Sequence, residues 1–126
     1  MYEIDQQTIR FSSGKRHRFQ ADIAETLDFE ESIVVRLVAG PFALVQNIFG
    51  FDYRGNLLWK IPSPKSFEAR TPYVGLFRKG GFLEVLNWDG HLLTMQPKQG
   101  SILSEDHYSG GTSHGHGRVA SRRSWI

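Results

Sequence analysis

Cysteine is absent from this chain of 126 residues, which excludes disulfide scaffolds, thiolate metal sites and cysteine nucleophiles together. Any chemistry rests on oxygen and nitrogen side chains. Long apolar runs are also missing, since no uninterrupted stretch approaches the length that spans a bilayer. The opening residues Met1-Tyr2-Glu3-Ile4-Asp5 carry acids where a secretory leader carries bases, and no apolar segment follows. These features predict a soluble, cytoplasmic protein with no membrane association. Net charge is only +2, so a pI near 9.1 gives nucleic acid little support as a partner. The bases available for it are Lys15, Arg16, Arg18 and the terminal arginines. Catalytic signatures are lacking too. No Gly-x-Ser-x-Gly elbow, Walker loop or His-Glu-x-x-His pattern occurs, and the Lys79-Gly80-Gly81 turn is too short to cradle a phosphate. The expectation is a non-catalytic protein without a cofactor.

What is present is aromatic and β-like. Hydrophobic residues make up 40% of the chain and aromatics 13%, a globular composition that leans toward strands. The clearest local signal is Asp52-Tyr53-Arg54-Gly55-Asn56-Leu57-Leu58-Trp59, echoed by Asn87-Trp88-Asp89-Gly90-His91-Leu92-Leu93. In each, an Asx residue stands three positions before a glycine. The Asx side chain accepts backbone hydrogen bonds, and the glycine tolerates the positive φ of a bulged hairpin turn. Each stretch therefore predicts a β-hairpin. An offset of 90 − 55 = 35 residues aligns Gly55 with Gly90, Leu57 with Leu92, Leu58 with Leu93, Pro62 with Pro97 and Ile48 with Leu83. Either a duplication or repeated use of one turn chemistry accounts for this.

Along the chain, residues 3–11 and 16–24 flank Ser12-Ser13-Gly14-Lys15 and predict a first hairpin, with His17 read as a surface residue near the turn. Residues 21–32 read as a loop or as one or two helical turns. Ile33 to Val38 and Phe42 to Phe51 are apolar at both parities, so each predicts a strand covered on both faces, by another layer or by another copy of the protein. Self-association into a homo-oligomer follows as an expectation. Residues 63–72, with Pro64 and Pro72, form the longest surface connection. Further hairpins are expected around Gly80-Gly81 and Pro97 to Gly100. The predicted fold is all-β: an antiparallel meander of about eight short strands forming a sandwich or curled sheet, with one short helix as an option. One β domain is expected over 1–107. Residues 108–126, rich in Gly, Ser, His and Arg, are expected to be a flexible tail.

Phe49 to Lys60, with its apolar run, Asp, glycine turn and Leu-Trp, resembles the repeats of quinoprotein-type β-propellers, and Leu83 to Leu93 is a second partial unit. The resemblance implies a meandering antiparallel sheet and carries over no quinone or metal site.

The residues expected to bind are Tyr53, Arg54, Trp88 and Asp89, types enriched at interface hot spots and placed at turn tips. They predict a small protein-binding module with a protein partner, immunity-type occlusion of a toxin being one form. The alternative is a small metal-dependent enzyme or sensor using His107, His114 and His116, where His114-Gly115-His116 has chelating spacing.

Overall fold

The computed structural model of the chain describes residues 1–39, 45–65, 67–107 and 121–124, the last four by their backbone. The described residues contain twelve strands and no helix. An N-terminal sheet holds β1 (Tyr2–Asp5), β2 (Thr8–Phe11) and β3 (Arg16–Arg18) in that order. A second sheet holds β4 (Ile23–Asp28), β5 (Ile33–Leu37), β6 (Ile48–Phe51) and β7 (Leu57–Lys60). The third contains β8 (Tyr73–Lys79), β9 (Phe82–Asn87), β10 (His91–Met95), β11 (Ile102–His107) and β12 (Ser121–Ser124), with order β12-β11-β10-β9-β8. Every pairing among the described residues is antiparallel and joins strands adjacent in sequence within one sheet. The fold is an all-β antiparallel meander in sandwiched layers.

The second sheet is the middle layer, and this answers the two-sided strands. Ile33, Val35 and Leu37 of β5 join Phe51 in a core with Ile9 and Phe11 of the N-terminal sheet. Val34, Ile48 and Trp59 point the other way, into a core with Leu76, Leu83, Val85, Leu93 and Met95 of the third sheet. Alternate residues of one strand thus serve two cores, as the period of two requires. Of the two covers this reading allowed, another layer or another copy, the layers of the chain itself supply the first. Of the expected strand from Phe42 to Phe51, residues 42–44 lie outside the described residues, 45–47 are not strand, and Ile48–Phe51 forms β6.

Three local expectations need correction. The stretch 3–11 is two strands folded at Gln6, whose φ of 53° lies in the left-handed region. The two central residues of that turn, Gln6 and Gln7, are neither glycine, proline nor Asx, and only Asp5 at the first position hints at a turn. Carbonyls of Gln6 and Gln7 accept hydrogen bonds from Ile23 and Phe19 at 2.8 Å, which ties the turn to the next segment. Residues 16–24 are not one arm, because the chain leaves the N-terminal sheet after Arg18. Phe19 lies 5.1 Å from the Phe49 ring as the chain crosses to the middle layer. Residues 23–28, read as loop or helix, are β4, and a register shift between Ile23 and Glu25 against β5 disrupts the alternation that would have marked the strand. Of the expected tail, residues 121–124 pair with β11 and the rest lies outside the described residues.

Trp59 fastens the middle layer to the third. Its indole lies across Gly50, the residue opposite it on β6, and beside Gly100 in the β10–β11 turn. A Cβ added at Gly50 would sit 2.2 Å from the ring, and one at Gly100 2.4 Å. The indole N–H donates to the Pro97 carbonyl at 2.9 Å, which the Ser32 hydroxyl also meets at 3.1 Å.

Candidate functional site

The β6–β7 turn is built as its sequence requires. Asp52 Oδ1 accepts from the backbone N–H groups of Arg54 and Asn56, both at 2.9 Å, while Oδ2 accepts from the Asn56 amide at 3.0 Å. Gly55 has φ 91°. Burial pushes the Asp52 carboxyl up, but the hydrogen bonds from Asn56 and Arg54 outweigh it and hold the group below its usual range. This turn is docked against the N-terminal sheet. The Ser13 hydroxyl donates to the Arg54 carbonyl at 2.7 Å, Lys15 Nζ reaches the Asn56 side chain, and His17 Nε2–H donates to the Gly55 carbonyl at 2.9 Å. His17 is therefore half-buried, with its ring 4.7 Å from Phe51, and not a surface residue as expected. Its partner is 38 residues away, beyond any local pattern.

Tyr53 donates its hydroxyl to the Phe29 carbonyl at 2.7 Å, so its polar tip is used by the fold. Arg54 is exposed. Nearby, the Arg78 guanidinium lies 4.3 Å over the Phe29 ring and donates to the Asp28 carbonyl.

The β9–β10 turn repeats the chemistry with different neighbours. Asn87 Oδ1 accepts from the Asp89 N–H at 2.9 Å, and Gly90 has φ 94°. Thr71 Oγ1 donates to Asn87 Oδ1 at 2.8 Å, Asn87 Nδ2 returns a bond to the Thr71 carbonyl at 2.8 Å, and the Trp88 N–H donates to Pro72 at 3.0 Å. The backbone is thus held while the Trp88 side chain stands 68% exposed. Asp89 is exposed beside it.

The two tips lie at opposite ends of the third sheet. Tyr53 neighbours Phe29 and Arg78 at the far end of β8, whereas Trp88 neighbours Pro72 at its start. A seven-residue strand spans roughly 20 Å. Tyr53 and Arg54 therefore form one neighbourhood, and Trp88 and Asp89 another.

The connection from β7 to β8, whose last residue Pro72 accepts the Trp88 N–H, borders a cleft of about 630 Å3, lined by Gln46, Pro62, Lys65, Phe67, Glu68 and Tyr73 among others. A smaller cavity of about 360 Å3 lies against Pro62, Ser63 and Lys65 as well, and reaches Gly100 and Glu105. Phe67 stacks on His91 with ring centroids 3.6 Å apart and planes 4° from parallel, and His91 stacks in turn on His107 at 4.3 Å. Burial, and then the neighbouring His107, hold the His91 imidazole below its usual pKa. Glu105 is buried and accepts the Lys65 N–H at 3.0 Å. Tyr73 forms the floor, its hydroxyl buried without a hydrogen-bond partner, and burial followed by the charge of Glu105 raises its pKa.

The structure places Trp88 and Asp89 on an exposed turn tip, and sequence reasoning did not name Gln46, Phe67 and His91. Its one signal was the length of the 63–72 connection. Their positions, 46, 67 and 91, converge only through the layered topology. Of the three histidines named for a metal, His107 is committed to a ring stack, while His114 and His116 lie outside the described residues. Among the described residues no three His, Cys, Asp or Glu side chains are placed to hold a metal ion.

No curated protein and no solved structure matches the chain. Residues 1–107 match the family described as Domain of unknown function (DUF7957), and the chain belongs to that family.

Proposed function

We propose that the protein is a non-catalytic binding module whose partner is another protein, with the Trp88-Asp89 end as its main contact surface. The observation that carries this reading is the Trp88 side chain, 68% exposed on a backbone fixed from Pro72 and Asn87, at the end of the β7–β8 connection that borders the cleft. A rigidly presented indole is the residue type that most often anchors an interface, because it buries a large area at little entropic cost. The cleft adds an apolar wall at Pro62 and Phe67, together with the polar groups of Gln46, Lys65 and Glu68, suited to a side chain projected by the partner. Tyr53 and Arg54, at the other end, would serve as a separate contact region. An immunity-type inhibitor that covers a toxin would use a surface of this kind.

The test compares the wild type with a Trp88→Ala, Asp89→Ala variant of unchanged thermal midpoint in quantitative pull-down against cognate lysate. Loss of a retained partner, with affinity reduced by about 30-fold or more, is expected of a hot-spot tryptophan. Retention of every partner at wild-type affinity would overturn the reading.

A further inference from the structure

The outer face of the third sheet carries a second surface, at the end of β8 and β9 away from Trp88. There Phe77 stands opposite Glu84 and Lys79 stands opposite Phe82. Directly opposed residues share a face, and so do residues two apart on one strand, so these four make a square on the side away from the core. Phe77 is 48% exposed and Phe82 40%. The rings occupy one diagonal, and the other holds Lys79 and Glu84, paired at 3.7 Å. Gly75 flattens the surface: a Cβ there would lie 3.0 Å from the Phe77 ring, which marks how closely the ring lies against the strand.

We propose that this square is a self-complementary docking site for a second copy of the chain. A two-fold axis lying in the contact plane along the ring diagonal sets Phe77 against Phe77 and Phe82 against Phe82. The same rotation carries Lys79 of each copy onto Glu84 of the other, because reflection across that diagonal exchanges the two charged corners. An isologous contact requires a patch that complements itself, and a square with rings on one diagonal and opposite charges on the other meets that requirement. A patch of either charge alone would repel its copy. The square is smaller than the roughly 800 Å2 per partner of a standard interface, so the dimer is weak, with a dissociation constant on the order of 100 µM. The site is distinct from the Trp88 end, and its test needs no other protein.

Sedimentation velocity of the full chain from about 10 to 500 µM should show a concentration-dependent dimer. Lys79→Glu and Glu84→Lys should each weaken self-association by about tenfold, because like charges then face each other across the axis. Mixing these two variants should restore a dimer, as should K79E and E84K combined in one chain. Phe77→Ser with Phe82→Ser should abolish it. A wild type that stays monomeric throughout overturns the proposal, and so does a mixture of the two charge variants that associates no better than either alone. The charge variants keep the test decisive even where the double serine variant fails to fold.

Discussion

Gly50 shows how one missing side chain fixes the position of another. Its partner across the ladder, Trp59, lays its indole where a Cβ would stand, so the middle layer meets the β10–β11 turn through a flat ring with no gap beneath it. Substitution Gly50→Ala forces the indole away and strains its hydrogen bond to Pro97. A loss of about 1–3 kcal/mol is expected, as for other overpacked cores. Urea unfolding should show a lower midpoint with an unchanged slope. At this scale the sequence was partly legible. The hairpin that carries Trp59 could be read, but nothing near Gly50 announced that the tryptophan nine residues later would cover it. The contact depends on cross-strand register, which a hairpin bulge between Gly50 and Phe51 resets by one residue.

Among the elements, the two Asx-x-x-Gly hairpins were the most legible, since their chemistry is contained in five residues. Asp52 alone satisfies two backbone N–H groups and an amide. Asp52→Ala should cost about 1–2 kcal/mol, the usual penalty for leaving such groups without their acceptor, whereas Asp52→Asn, which keeps one acceptor oxygen, should cost less. The pH dependence has a definite sign. The folded carboxyl lies below its unfolded value, so its contribution is present above the unfolded pKa and is lost as pH falls through the folded one. Thermal midpoints of wild type and Asp52→Ala should therefore converge in acid. What the turn could not disclose was how far each strand is covered. Leu57 and Leu58 are exposed while Leu92 and Leu93 are buried, although an offset of 35 aligns them. β7 is the edge strand of the middle sheet, whereas β10 lies between β9 and β11, so equal spacing in sequence leads to unequal cover on both faces. The Gln6 turn and β4 were illegible for related reasons, the first held by distant backbone donors and the second irregular in register.

At the scale of the whole molecule, the pattern of strands apolar on both sides required a covering layer but could not say where it came from. The first eleven residues supply much of it through Ile9 and Phe11. The cleft was beyond reach for the same reason, since its walls come from before β6, from the β7–β8 connection and from the start of β8. The turn that carries Trp88 was legible because its chemistry is local, whereas the exposure of the indole is seen only in the fold. The layered arrangement also separates the chain's indoles in a way that a spectroscopist can use. Trp59 is 8% exposed at the seam between layers, whereas Trp88 stands in solvent. With Trp125, outside the described residues, replaced by phenylalanine, iodide should quench the red-shifted emission of Trp88 and leave a blue-shifted component from Trp59. A Trp88→Phe variant that retained full quenching would contradict this assignment. One lamp then reports on whatever arrives at the binding end, and the other stays dark to the quencher until the layers part, so engagement and unfolding can be followed in a single cuvette.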